Sequence, residues 1–249
     1  MTVDRCVISY AKSGREDYAR GFLNSIPSLQ YHDYQGSYYF VSPDSPDRNI
    51  QGVEIRQEPP GMFQHDAIPY GFKPFLFNLA RQAGHEQVLW IDASVVALQN
   101  LNTIWSVAET YGLCVGRNSG CPHSFWCSDE ASDAMGVARD AMFEQVMGYA
   151  VCFDFRNPVA NTILDQWLSY ATDGITFNGG PNGRVPEGAG SDRPGYRAHR
   201  HDQSVLSVLV DRYSIPHQPY GLIGYRYDTP KFPGMVLANQ GIQAAGRWR

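Results

Sequence analysis

Long apolar runs, paired cysteines and an excess of basic charge are missing from this sequence of 249 residues. No stretch approaches the roughly 18 apolar residues that a membrane-spanning helix needs, and the first residues lack the basic and apolar segments of a signal peptide. We therefore expect a cytoplasmic protein without a membrane span. The five cysteines contain no CxxC pair, which argues against a zinc site and favours buried, reduced thiols.

Acidic residues outnumber basic ones, since 25 Asp and Glu stand against 20 Lys and Arg and give a formal net charge of -5. A protein with this balance has no overall basic field that would draw it to nucleic acid. Phosphate-binding loops of the GxxxxGK and GxGxxG types are also absent. The 43% of hydrophobic residues suffice for a sizeable core, and no linker separates two cores, so residues 1–249 are expected to form one domain.

Strand and helix patterns alternate through the first half of the chain. Apolar runs rich in β-branched residues predict strands at 4–10, 36–42, 53–57, 86–98, 113–116 and 148–155. Helical spacing predicts helices at 15–26 (ending at Pro27), 73–83, 102–111, 158–170 and 201–213, with 117–147 and 173–200 mostly irregular. This alternation predicts an α/β fold with a mostly parallel central sheet flanked by helices. Ligands in such sheets bind beyond the carboxyl ends of the strands.

The strongest strand signal ends in an acidic residue. Val88-Leu89-Trp90-Ile91 is apolar on both faces, as a central parallel strand is, and Asp92-Ala93-Ser94 follows directly. A carboxylate at this edge of the sheet suits a hard divalent cation, which takes one or two carboxylates together with substrate phosphates. The alternative is that Asp92 caps the turn after the strand.

A helix that begins at Lys73-Pro74 precedes this strand. The order of a Lys-bearing helix, an apolar strand and an Asp-x-Asp motif or a variant of it is similar to the pattern of GT-A type glycosyltransferases. The similarity is clearest over residues 70–101 and extends more loosely to 148–157 and 199–209. It implies a Rossmann-like GT-A fold, a nucleotide-diphosphate sugar as the donor, above all a UDP-sugar, and a divalent metal, Mn²⁺ or Mg²⁺.

The resemblance also implies two functional halves of the domain and a set of metal ligands. It implies a nucleotide-sugar-binding half at 1–101 and an acceptor-binding half at 102–249. Ser94 stands where the family has its second carboxylate, so Asp92 would hold the metal with a later histidine. His217 resembles that later ligand by position, and its alternative interpretation is an exposed loop histidine.

The first strand and its loop are implied to bind the nucleotide. In this interpretation Tyr10 stacks on uracil and Lys12 or Arg15 meets a phosphate as a charged donor. The alternative is an ordinary strand-to-helix turn. The residues that the resemblance places around the donor are Ser9, Tyr10, Lys12, Arg15, Lys73, Asp92, Ala93 and Ser94.

Two further aspartates are candidate catalytic groups. Asp202 opens the last predicted helix, where it is also a favourable cap. In an inverting enzyme such a carboxylate deprotonates the acceptor hydroxyl, and in a retaining enzyme it orients sugar hydroxyls or supports the anomeric cation. Asp154, at the end of the 148–155 strand, is the second candidate base, with a turn residue as its alternative.

A basic, glycine-rich segment spans residues 179–201 and contains Arg184, Arg193, Arg197 and Arg200 together with His199 and His201. Such a loop either orders over the donor, as active-site lids do, or contacts an anionic acceptor. The remaining interpretation is a surface insertion without a role in binding.

The function that these observations favour is glycosyl transfer from a nucleotide sugar to a hydroxyl. The alternatives are a nucleotidyl- or phosphoryl-transfer enzyme and a nucleotide-binding protein that has lost catalysis. The acceptor stays open among glycans, proteins, small molecules and a hydroxymethylated DNA base, although the acidic net charge argues against tight binding of duplex DNA.

Overall fold

The computed structural model describes residues 3–12, 16–42, 49–50, 53–219, 221–225, 228 and 231–240. The helices are α1 (Glu16–Tyr31), α2 (Phe72–Gln82), α3 (Asn102–Tyr111), α4 (His123–Trp126), α5 (Asp129–Met135), α6 (Pro158–Thr172) and α7 (His201–Arg212). The strands are β1 (Arg5–Tyr10), β2 (Ser37–Val41), β3 (Asn49–Ile50), β4 (Val53–Arg56), β5 (Gln87–Ile91), β6 (Val95–Ala97), β7 (Leu113–Pro122), β8 (Glu144–Asp154), β9 (Ile223–Tyr225) and β10 (Leu237–Asn239). None of the helices in these ranges is long and apolar enough to cross a membrane.

The central sheet has the strand order β3-β4-β2-β1-β5-β8-β7. Strands β4, β2, β1 and β5 are parallel to one another, whereas β8 runs antiparallel between β5 and β7. The prediction of a mostly parallel sheet flanked by helices is therefore confirmed. The reversed direction of β8 matters for the site, because its first residues lie at the same edge as the carboxyl end of β5.

The predicted single strand over 86–98 is instead two strands in different sheets. The backbone N–H of Asp92 donates to Tyr149 O at 2.8 Å, and the N–H of Val95 donates to Asp92 O at 2.9 Å, which closes a turn. After this turn β6 joins a small three-stranded sheet in the order β6-β10-β9. The turn places Asp92 at the edge of the central sheet.

Two other predicted elements differ from the structure. Helix α1 continues through Pro27 to Tyr31, because burial of Ile26 and Leu29 compensates for the hydrogen bond that proline cannot make. The segment 117–147, predicted as mostly irregular, contains the outer part of β7, α4, α5 and the start of β8. Its short elements carry little periodicity for a sequence pattern to detect.

Helices pack on both faces of the sheet and bury two apolar clusters. One cluster contains Trp90 together with Phe77 and Phe153, and the other contains Leu89 and Trp105. Side chains of β5 alternate between these clusters, as the two-residue period of a strand requires. Burial on both faces explains why this strand reads as a continuous apolar run.

Candidate functional site

A cleft of about 640 Å³ opens at the carboxyl ends of the parallel strands. The turn after β5, the start of α2, the start of β8 and the start of α7 form its floor. Residues 184–187 and 198–200 of the long loop before α7 form one wall. The residues that line the cleft include Tyr70, Lys73, Asp92, Gly148, Arg184, Arg200, Asp202 and Asn239.

Lys73 is the central cation of the cleft floor. Its Nζ lies 3.0 Å from Asp202 Oδ2 and 3.6 Å from Asp92 Oδ1, and it donates to Gly148 O at 2.7 Å. Only 5% of the side chain is exposed. Burial alone lowers the pKa of this ammonium group, but the two carboxylates outweigh burial and hold the pKa above its ordinary value. Lys73 is therefore charged, and it links two predicted site residues that lie far apart in the sequence.

Asp92 presents a carboxylate to the cleft, with 35% of its side chain exposed. Trp90 Nε1–H donates to Asp92 Oδ1 at 2.8 Å and fixes the orientation of the carboxylate. The turn itself is closed by the backbone oxygen of Asp92. The two interpretations left open by the sequence thus apply to different atoms, since the main chain forms the turn while the side chain faces the cleft.

Helix α1 holds this turn from behind. Gly21 packs so closely that an added Cβ would lie 2.2 Å from Ala93 O, and Ser25 Oγ donates to Ala93 O at 3.1 Å and to Val95 O at 2.5 Å. Neither residue belongs to a recognisable site motif. They position Asp92 and Ser94 through the backbone.

Asp202 lies in the first turn of α7 and is buried. Burial raises the pKa of this carboxyl and Lys73 lowers it, and the net result is a pKa of about 6. The preceding residue, His201, has a left-handed φ of 47°, and its Nδ1 is 2.7 Å from Phe177 O. This contact anchors the entry into α7 and with it the position of Asp202.

Two further oxygen-bearing side chains belong to this region, since Ser94 follows Asp92 in the same turn and Asn239 lines the cleft together with Asp92. Ser94 Oγ donates to Asn239 Oδ1 at 3.0 Å, because β10 pairs with β6 in a register that sets Asn239 opposite Val95. Among the described residues there is no group of three His, Cys, Asp or Glu side chains that would hold a metal alone. One carboxylate, an amide oxygen and a hydroxyl still fit Mg²⁺ or Mn²⁺, provided that substrate phosphates complete the shell.

His217 lies away from this group and does not agree with its predicted role as a metal ligand. The next residue, Gln218, pairs with Val115 and Arg117 of the edge strand β7, and β8 separates β7 from β5. Burial lowers the pKa of His217, and Arg117 lowers it further. Within the part of the chain that the structure describes, Asn239 is a late residue that lines the same cleft as Asp92.

Asp154 lies at the opposite edge of the sheet, which does not agree with its predicted role as a base. It pairs in register with Gln87, the first residue of β5, because β8 is antiparallel. Its Oδ2 accepts from Gln87 Nε2 at 2.8 Å and from Arg156 Nη2 at 2.5 Å. Asp154 is thus a structural residue at the strand end, the alternative that the sequence left open.

The predicted nucleotide residues of the first strand lie beside the cleft and not in its lining. Tyr10 packs on Phe72 with ring centroids 4.5 Å apart and donates its hydroxyl to Glu58 Oε1 at 2.5 Å. Lys12 forms an exposed ion pair of 2.7 Å with Asp66. Ser9 Oγ is buried and has no hydrogen-bond partner among the described residues. The predicted Arg15 lies outside the described residues.

The arginine-rich segment divides into structural and cleft-facing parts. Arg193 donates to Cys127 O and pairs with Asp129 at 3.1 Å, so it anchors the loop to α5. His199 Nε2 lies 2.8 Å from Thr176 O, so that the two ends of the loop are in contact. Arg184 and Arg200 face the cleft instead. The basic character of this segment is visible in the sequence, but its division into these two groups is not.

Tyr70, Gly148 and Asn239 are among the lining residues that the sequence does not predict. Tyr70 has a left-handed φ of 61° and its ring lies 5.2 Å from Lys73 Nζ. Gly148 contributes a carbonyl oxygen, which has no signature in a sequence. Asn239 stands in a tail without clear periodicity, where only the pairing of β10 with β6 reveals its place.

Comparison with known proteins places the fold. No protein-family model matches the sequence, and no curated protein sequence matches it significantly. Among solved structures, the chain is similar to the WbbM bifunctional glycosyltransferase in its apo form, with a TM-score of 0.56 and 12% identity. The match covers 97% of this chain but only 46% of that protein. It is also similar to apo mouse xyloside xylosyltransferase 1, with a TM-score of 0.57 and 9% identity over 97% of this chain and 99% of that one. The chain therefore has the GT-A type glycosyltransferase fold that its Lys73 and Asp92 motifs predicted.

Proposed function

We propose that this protein transfers a sugar from a nucleotide-diphosphate sugar to an acceptor hydroxyl, and that the preferred donor is a UDP-sugar. The observation that carries the proposal is the Asp92–Lys73–Asp202 group at the floor of the cleft. A cluster of three charged side chains at the carboxyl ends of a parallel sheet suits a phosphate-bearing ligand. The two similar structures are glycosyltransferases by name, which supports the same reaction class.

The transfer exchanges one bond at the anomeric carbon. The acceptor oxygen forms a bond to this carbon, the bond between the carbon and the diphosphate oxygen breaks, and its electron pair leaves with the nucleoside diphosphate. In the proposal residues 1–101 bind the donor, with the nucleotide near Ser9, Tyr10, Lys12 and Arg15, and residues 102–249 bind the acceptor.

Asp92, Ser94 and Asn239 would hold a divalent ion in this proposal. When bound, Mn²⁺ or Mg²⁺ supplies positive charge to the diphosphate leaving group. Lys73 keeps the Asp92 and Asp202 carboxylates in place, since its ammonium group contacts both.

Asp202 is the carboxylate that we assign to the reaction centre. In an inverting reaction it accepts the proton of the acceptor hydroxyl. In a retaining reaction it orients sugar hydroxyls, and the proton leaves with the departing diphosphate. The anomeric configuration of the product, read by NMR, decides between these roles.

The test combines nucleotide binding with product analysis. UDP is expected to raise the melting temperature by mass action, and to raise it further with Mn²⁺. Incubation with UDP-sugars and a panel of acceptors should release UDP. Release of pyrophosphate would instead support nucleotidyl transfer, and binding of a UDP-sugar that is never consumed would support a binding protein.

The variant Asp92→Asn tests the metal role. Its amide oxygen still accepts from Trp90 Nε1, so the fold should persist while the Mn²⁺-dependent part of the UDP shift disappears and turnover falls about 100-fold or more. Asp140→Asn is the matched control, because Asp140 is exposed and does not line the cleft. Full activity of Asp92→Asn would refute the role of Asp92.

A further inference from the structure

A guanidinium group stacks on an aromatic platform in one wall of the cleft. Cζ of Arg200 lies 3.6 Å from the centroid of the Trp126 ring, and Arg200 lines the cleft. At this distance the cation–π attraction and the planar stack hold the group in place. The last residue of α4 thereby presents an arginine of the loop to the ligand space.

The platform is itself rigid. The carbonyl oxygen of Trp126 accepts from the Arg200 N–H at 3.2 Å, from Ser204 Oγ at 2.6 Å and from Gln145 Nε2 at 3.2 Å. These donors come from the start of α7 and from β8. The guanidinium group is therefore held in position before any ligand arrives, which reduces the entropy lost on binding.

The charge of Arg200 is not neutralised within the described part of the chain. No carboxylate there forms an ion pair with Arg200, whereas Arg81, Arg156 and Arg193 each have an acidic partner. The ring of Trp126 holds the cation but accepts few of its five N–H donors. A fixed, partly buried guanidinium group that lines the cleft and forms no ion pair with a carboxylate suits an external anion.

The place of Arg200 in the chain indicates that its anion is a different group from the diphosphate of the donor. The donor elements β1, α2 and β5 precede residue 101, and the Lys73–Asp92 pair lies on them. Arg200 lies on the loop wall of the cleft, directly before α7 and against Trp126 of α4, in the half proposed to bind the acceptor. The other cleft-facing arginine, Arg184, lies on the same loop wall, and its charge lowers the pKa of both His65 and His201.

We propose that the acceptor substrate carries an anionic group, a carboxylate or a phosphate, and that Arg200 on Trp126 binds it. This inference rests on the proposed glycosyl transfer and adds the chemical class of the acceptor. Arg200 is then a specificity-determining residue, and neutral analogues of the acceptor bind more weakly.

The test measures sugar binding by NMR titration at saturating UDP and Mg²⁺, which unlike Mn²⁺ does not broaden the signals, and again without them. The probes are methyl glucuronide, glucose 6-phosphate and neutral methyl glucoside, so that the arms distinguish a carboxylate from a phosphate. At least one anionic probe should bind about tenfold or more tightly than the glucoside, the ratio expected for a charge-assisted hydrogen bond. This preference should weaken as salt is added.

Variants assign the preference to one side chain. Arg200→Gln should abolish it and leave the UDP-induced melting shift unchanged, whereas Arg200→Lys should retain part of it. Arg197→Gln is the matched control, because Arg197 also faces Trp126, at 5.6 Å, but does not line the cleft. The control should keep the full preference.

Two results would overturn the inference. One is equal or absent binding of all three probes by the wild type, and the other is an Arg200→Gln variant that loses UDP affinity while it keeps the anion preference. Failure of the proposed function is a different result, namely no melting shift with UDP in the wild type. The titration without nucleotide stays readable in that case and still decides whether Arg200 binds an anion.

Discussion

Replacing Lys73 by methionine removes the only charge that Asp202 contacts directly among the described residues. Methionine keeps the unbranched shape but leaves a carboxylate buried beside an apolar side chain. Loss of one partner from a buried ion pair destabilises proteins by roughly 3–5 kcal/mol. Asp92 adds little to this loss, because 35% of its side chain is exposed and water screens it. In a domain of this size the loss corresponds to a fall in melting temperature of roughly 6–20 °C.

The pH dependence of Lys73→Met has a definite sign. Burial already raises the pKa of Asp202 to about 6 in the wild type, against the lowering effect of Lys73, and removal of the lysine raises it further. A carboxyl whose pKa is higher in the folded than in the unfolded state stabilises the fold fully below the unfolded pKa. This stabilisation is lost as the pH rises through the folded pKa. The difference between variant and wild type should therefore be larger at pH 7 than at pH 5.

The assay is urea denaturation followed by circular dichroism at both pH values. Lys12→Met is the matched control, since Lys12 pairs with Asp66 at an exposed site where such pairs contribute about 0–1 kcal/mol. The double variant with Asp202→Asn should recover most of the loss, because no buried charge is left unpaired. A loss for Lys73→Met no larger than that of Lys12→Met, or one independent of pH, would refute this account.

Two further predictions concern the buried histidines at the start of α7 and the turn at Asp92. Burial lowers the pKa of His199 to about 3 and that of His201 to about 4, so the unfolded chain binds protons that the folded chain does not. Thermal stability should therefore fall between about pH 6.5 and pH 4, by on the order of 3 kcal/mol per histidine at most. A melting temperature that does not change with pH across this range would contradict the prediction. Gly21→Ala should destabilise the fold by about 1–3 kcal/mol and weaken UDP binding, because its Cβ would lie 2.2 Å from Ala93 O. Gly234→Ala serves as its control, since an added Cβ there meets nothing within 4 Å and Gly234 does not line the cleft.

The central strand and the helix before it were predictable because their signals are local. An apolar run buried on both faces marks β5, and Pro74 in the first turn marks the start of α2. Together they place Lys73 and Asp92 at one edge of the sheet. Asp202 is likewise marked by its place at a helix start, although its contact with Lys73 depends on how α7 packs.

The errors at Asp154 and His217 have a different origin, since both depend on pairings between distant strands. The direction of β8 is not encoded in its apolar pattern, and reversing a strand exchanges its two ends between the edges of the sheet. The position of His217 follows from the pairing of its neighbour with β7, and that of Asn239 from the register of β10 on β6. Gly148 acts through a backbone oxygen, for which any residue type has the same atom.

The charges at the cleft floor explain why nucleotide and metal should bind together. One ammonium group faces two carboxylates, which leaves a net charge of -1 when both are ionised. A nucleoside diphosphate alone brings further negative charge to this floor, and a divalent ion alone finds one exposed carboxylate and neutral oxygens. When both are present, each supplies what the other lacks, and linkage requires that the two affinities rise by the same factor. The low charge of the ligand set, with Ser94 in place of a carboxylate, thus makes metal affinity depend on the donor.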